Sequence, residues 1–224
     1  MADTNQHLEH LAEMRALMER STRFLSLSGL SGVWAGLCAL AGAAALYTWL
    51  GLRPFSAGAK YDYFYAAVDN RAWGLGYHEV LVYIALAVVA TAIAGGVFFT
   101  ARKARARGER VWDASSRRLL WAMAVPLATG GIFCLALLSR GYLSVLAPTT
   151  LVFYGLALVN GSKYTLRDVE NLGICEIALG LVGTFWPGYG LELWAVGFGL
   201  LHIMYGGWMY WKYDAKGWKV EGRG

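Results

Sequence analysis

VLVYIALAVVATAIAGGVFFTARKARARGER, residues 80–110, decides the class of this chain. Its first 21 residues, 80–100, carry no charge, and at 1.5 Å per residue they are long enough to cross the roughly 30 Å of a bilayer's hydrocarbon. A surface helix of a soluble protein keeps one polar face, and this run has none. The charge then arrives all at once, as Arg102, Lys103, Arg105, Arg107 and Arg110. An uncharged span closed by a basic cluster is the pattern of a helix whose end meets the cytoplasmic leaflet.

The rest of the chain agrees. Of its 224 residues 57% are hydrophobic and 16% charged, which excludes an ordinary soluble domain. Windows of about 20 residues pick out six candidate spans: 24–50, 80–100, 119–138, 142–159, 169–186 and 191–211. The fourth and fifth are the shortest, and Pro148 and Pro187 lie in or beside them. With the N-terminus inside, sixteen of the twenty Lys and Arg residues are cytoplasmic, and only Arg53, Lys60, Arg71 and Arg140 are outside. The sequence therefore predicts an all-α membrane protein, a six-transmembrane-helix bundle of three antiparallel hairpins with both termini cytoplasmic. Residues 1–23 are expected to form a cytoplasmic amphipathic helix, with Leu8, Leu11, Arg15 and Met18 at helical spacing, and 212–224 a basic tail. Residues 24–211 form the one membrane domain, and the first span is expected to stay as a signal anchor. The long outer segment 51–79, rich in Tyr and Trp, is expected to lie along the outer interface.

The basic run Arg102, Lys103, Arg105, Arg107 and Arg110 is read as a short loop in contact with lipid headgroups. Nucleic acid is not expected as a partner, because such a loop offers no folded or aromatic-lined surface. Ser28, Gly32 and Gly36 repeat at intervals of four, a small-residue row that lets helices approach closely. Internal packing is the favoured reading of that row over a homodimer seam. Gly180 and Gly183 in the fifth span, with Gly197, Gly199, Gly206 and Gly207 in the sixth, predict a tightly packed last hairpin. Pro126 and Pro148 are expected to bend their helices. Asn160, Gly161 and Ser162 match a glycosylation sequon, but on the cytoplasmic side.

One pair carries chemical content. Folding the last hairpin about Gly188 and Tyr189 sets Glu176 and His202 at equal depth, each about 13 residues, or roughly 20 Å, from the turn. A carboxylate in hydrocarbon needs a partner, a proton or water, and a matched-depth imidazole is the obvious candidate. A proton- or cation-responsive pair, extended to a small polar cavity by Cys175, stands against a hydrogen-bonded pair that only fixes the hairpin's register. No metalloprotease, nucleophile-elbow or nucleotide-binding motif is present, so no catalytic residue, metal site or cofactor is indicated.

In NLGICEIALGLVGTFWPGYGLELWAVGFGLLHIMYGGWMYWKY, residues 171–213, and ERSTRFLSLSGLSGVWAGL, residues 19–37, the chain resembles uncharacterised bacterial six-span inner-membrane proteins of the Bacteroidetes and neighbouring phyla. The resemblance covers most of the chain and implies a multi-pass inner-membrane location, with no catalytic residues to carry over. Two functions follow as expectations. One is a non-catalytic accessory, sensory or assembly module that meets a membrane-protein partner or a second copy of itself within the bilayer. The other is a small proton- or cation-linked channel or transporter built on Glu176 and His202.

Overall fold

The computed structural model describes residues 24, 27–51, 76–108, 111–186 and 188–215. The expected amphipathic helix of 1–23, residues 52–75 of the outer segment, Arg110 and the tail from 216 lie outside the described residues. Among the described residues every regular element is helical: α1 (Gly29–Leu50), α2 (Tyr77–Ala106), α3 (Ala114–Ser139), α4 (Leu146–Ser162), α5 (Asp168–Phe185), α6 (Gly190–Trp194) and α7 (His202–Met209). A 3-10 turn, Leu143–Val145, leads into α4. Between α6 and α7 lies a π-helical segment, Ala195–Leu201, and a second, Tyr210–Asp214, follows α7. The backbone stays right-handed helical through each of these junctions, so 190–214 is one helix of uneven winding.

Four segments, Gly29–Leu50, Glu79–Ala106, Ala114–Ser139 and Leu143–Ser162, are long and apolar enough to cross a membrane, and they support a multi-pass membrane location. Their ends follow local chemistry. Asp113 and Ser116 form a reciprocal capping box at the start of α3, with Ser116 N–H donating to Asp113 Oδ1 at 2.7 Å. At the other end of the bundle, Gly51 closes α1 at φ 68°, a left-handed position that glycine occupies without strain.

α4 and α5 make the most extensive pairing among the described elements. Its cause is a run of glycines without side chains in the way: a Cβ on Gly155 would lie 2.6 Å from Gly173 O, and one on Gly180 would lie 2.8 Å from Pro148 O. α1 packs likewise on the last helix, with Gly32 against Gly206 of α7 and Gly36 against Gly199 O of the π-helical segment. The row beginning at Ser28 thus lies inside the chain's own bundle. The last two spans are not each other's main partners, as their glycines had suggested. Gly180 faces α4, Gly199 and Gly206 face α1, and Gly207 faces open space. The contact between α5 and the final helix rests on Gly183, beside Leu193 and Pro148, and on Gly197, beside Glu176. α2 flanks α1, where the missing Cβ of Gly95 makes room for the Trp34 ring and Trp34 Nε1 donates to Thr91 O at 2.9 Å. α3 flanks α4.

The two prolines among the described residues sit where their lost N–H is accommodated. Pro148 is in the first turn of α4, where no intrahelical bond is due. Pro126 lies inside α3 and leaves the carbonyl of Ala122, four residues earlier, without its helical donor. Asn160 of α4 replaces it, donating from Nδ2 to Ala122 O at 2.7 Å. The residue that reads as a sequon is therefore an internal donor.

Distant segments are tied together at one end of the bundle. Phe24 N–H donates to Tyr164 O at 2.7 Å, ahead of α1, which starts at Gly29 rather than at residue 24. Helix α2 runs on to Ala106, so Arg102, Lys103 and Arg105 are helical and not in a loop. Lys103 does not reach for headgroups: its ammonium is 2.7 Å from Asp214 Oδ1 and 2.6 Å from Leu27 O, and its side chain is 9% exposed. Asp214 in turn accepts from Gly29 N–H at 3.1 Å and from Ser28 Oγ at 3.3 Å, placing a carboxylate on the positive end of α1. Arg107 donates to Tyr213 O at 2.9 Å, while Arg102 and Arg105 are exposed.

Candidate functional site

Glu176 lies in the middle of α5, on the side turned towards the π-helical segment, and is 0% exposed. What lets a carboxyl approach there is Gly197, because any Cβ at that position would collide with Glu176 Oε2 and sit 2.6 Å from Leu151. His202, 4% exposed, opens α7 one residue after the π-helical winding ends. Its Nδ1 is 3.0 Å from Gly197 O and 3.3 Å from Glu176 Oε1. Neither Glu176 oxygen completes a hydrogen bond with good geometry, so the 3.3 Å approach is a close polar contact, and the well-formed bond of Nδ1 is the one to Gly197. A buried carboxyl without hydrogen bonds calls for a partner, and the imidazole stands beside it.

The third side chain comes from α4. Tyr154 Oη is 2.8 Å from His202 Nε2, so both imidazole nitrogens are engaged. Phe198 stacks on the His202 ring, with centroids 5.8 Å apart and planes 16° from parallel, and it also contacts the rings of Tyr154 and Trp194. The aromatic wall fixes the imidazole plane. It also keeps water from that face, which strengthens every charge interaction inside.

Gly197 lies within the π-helical winding, Ala195–Leu201, which takes more residues per turn than an α-helix, and its carbonyl oxygen is the one that meets the ring of His202. Short π segments of this kind cost backbone regularity and are found mostly where a side chain must be held in a special place.

The structure thus brings Glu176 and His202 together and leaves Cys175 out. Its neighbour in sequence, it points about 100° away around the helix, and its Sγ is 3.7 Å from Tyr205 Oη. Tyr154 was not singled out from the sequence, because α4 is apolar nearly all round and shows no face from which to infer its rotation. Gly197 could be read only as a packing glycine. Glu192, in α6, is a further buried carboxyl, 3% exposed. The surface depression bordered by Val97, Phe98, Arg102 and Arg105 belongs to the outer face of α2 and shares no residue with the cluster.

A second polar cluster marks the end of the bundle where Lys103 lies. Tyr213 Oη donates to Asp168 Oδ2 at 2.6 Å and Lys212 Nζ to the same oxygen at 2.9 Å. Burial alone would raise the Asp168 carboxyl, but the bonds from Tyr213 and Lys212 outweigh it and hold the group below the usual carboxylate value. The Tyr213 hydroxyl is pushed up, by burial first and then by its bond to Asp168. Among the described residues no group of three His, Cys, Asp or Glu side chains converges to hold a metal ion.

Comparisons with protein-family models, with curated proteins and with solved structures find no match to this chain, so what stands of the resemblance is a helical, largely apolar bundle consistent with a membrane protein.

Proposed function

We propose that the protein is a small proton- or cation-linked channel or transporter of a bacterial cytoplasmic membrane, working through the Glu176/His202 site. The observation that carries the reading is Glu176: a carboxyl with no exposed surface and no completed hydrogen bond, 3.3 Å from an imidazole in the interior of an apolar bundle. Ionisable groups at such depth are expensive to keep, and their usual return is the binding or passage of an ion. A pair that served only to fix register would be expected to satisfy both carboxyl oxygens, since an unsatisfied buried acceptor costs about 1–3 kcal/mol. In this reading the chain crosses the membrane six times, with α5 and the uneven helix 190–214 as the last two crossings. Both termini lie on the cytoplasmic side, with the Lys103 and Asp168 clusters.

Reconstitution into proteoliposomes tests the proposal. A flux that depends on pH, present with the wild-type chain and abolished by Glu176→Gln, is the expected result. A wild-type rate equal to that of empty vesicles counts against it. A second reading, an accessory or assembly module, is favoured by the flanking helices, whose apolar windows are 0% buried in α2 and 6% in α3. Lipid covers such faces as well as a partner does. Co-purification of a stoichiometric partner protein together with absent flux would favour that module.

A further inference from the structure

We infer that the ion is a proton, that it is loaded on Nε2 of His202 through the hydroxyl of Tyr154, and that Glu176 is its counter-charge. This rests on reading the Glu176/His202 cluster as an ion site. The argument begins with Gly197. Its carbonyl oxygen can only accept, and it lies 3.0 Å from Nδ1, so Nδ1 carries a hydrogen; a bare Nδ1 would set two lone pairs against each other. The tautomer of the neutral ring is therefore fixed by backbone, and the nitrogen left to gain or lose a proton is Nε2.

Nε2 faces Tyr154 Oη at 2.8 Å, and a tyrosine hydroxyl suits both states of the ring without moving a heavy atom. Towards neutral imidazole it donates; towards imidazolium it rotates its hydrogen away and accepts. On loading, Nε2 takes the Tyr154 hydrogen while Oη takes the incoming solvent proton, so the tyrosine ends neutral and the ring gains one positive charge. On release the same transfers run backwards. The imidazolium then stands 3.3 Å from Glu176 Oε1, and the pair is neutral as a whole.

The same geometry argues against a metal cation. The Nδ1 hydrogen occupies the space between Gly197 O and Glu176 Oε1, and Oε2 lies where a side chain on Gly197 would begin. Hard cations of this kind need six or more oxygen ligands, far more than the cluster offers. Among the described residues, the ionisable groups in contact with the ring are Glu176 from α5 and Tyr154 from α4. On the remaining side α1 places Gly32 against the His202 backbone and Gly36 against Ile203.

The test is nitrogen NMR of the full-length protein with 15N-labelled histidine. The chain has four histidines, and His202 is assigned by loss of its signals in His202→Gln or, independently, by their survival when His7, His10 and His78 are replaced together. The expected neutral form carries hydrogen on Nδ1, the expected change on acidification is at Nε2, and Na⁺ or K⁺ shifts neither signal. Tyr154→Phe should keep the tautomer, because Gly197 sets it, and slow proton loading about tenfold or more. A neutral ring with hydrogen on Nε2, an Nε2 that never gains a proton while the protein stays folded, displacement of the signals by Na⁺, or undiminished loading in Tyr154→Phe would each overturn the inference. These signals are read without any flux, so an absent flux with the expected spectra rejects the transport reading and leaves the proton site standing.

Discussion

Glu176 and His202 act as one unit if the ring is the partner that makes a buried carboxylate tolerable. Removing either then removes the reason for the other, and Glu176→Gln and His202→Gln should be coupled in a double-mutant cycle by about 1–3 kcal/mol. Unfolding in detergent by a graded denaturant measures this, and additive effects would mean that the 3.3 Å approach carries no energy. Gly197→Ala is the sharpest single substitution. Its methyl group would meet Glu176 Oε2 and Leu151, both of which are fully buried, and a cost of about 1–3 kcal/mol is expected from overpacking. Part of this arrangement was legible in the sequence. Helical rise and the position of the turn at Gly188, whose φ of 105° only glycine adopts freely, were enough to set Glu176 and His202 at one depth. Rotation about the helix axes was not legible, so Cys175 was wrongly grouped with them and Tyr154 was missed.

At the scale of elements, polar side chains repair or join helices at named places. Pro126 and Asn160 form one such pair: Asn160→Ala should cost about 1 kcal/mol in the wild-type background and much less with Pro126→Ala, where Ala122 O regains its own helical donor. Equal losses in both backgrounds would show that Asn160 does something else. The Asp168 cluster ties the start of α5 to the end of the uneven helix and gives stability a pH dependence. A carboxyl held below its usual value stabilises the fold fully above the ordinary carboxylate range, and the contribution is lost as pH falls through the folded value. Melting temperature should therefore drop on acidification more steeply in the wild type than in Asp168→Asn; parallel curves would count against it. The sequence showed where α2 starts being apolar but not where it ends. The basic run looked like a loop because five charges follow one span, whereas α2 continues to Ala106 and turns Lys103 inward to Asp214. That partner lies more than a hundred residues away, and no local pattern announces it.

Taken whole, the molecule has its close-packed interior at α4, α5 and α7, with α1 against α7 and with α2 and α3 on the flanks. Hydropathy made the all-helical, multi-pass character plain, because four helices remain long and apolar enough to cross a membrane. It could not show the π-helical winding at Ala195–Leu201, since glycine and aromatic residues there suit ordinary membrane helices equally well. Gly197 lies in that winding, and its carbonyl is the partner of His202 Nδ1. Loading one proton changes the charge of the site by one unit inside the bilayer, so the event should be visible electrically. The most direct measurement is the transient charge displacement that follows a pH jump across proteoliposomes adsorbed on a solid-supported membrane. The account predicts a displacement in the wild type that is insensitive to exchange of Na⁺ for K⁺, absent in Glu176→Gln and slowed in Tyr154→Phe. A wild-type signal no larger than that of empty vesicles, or one of full size in Glu176→Gln, would contradict it.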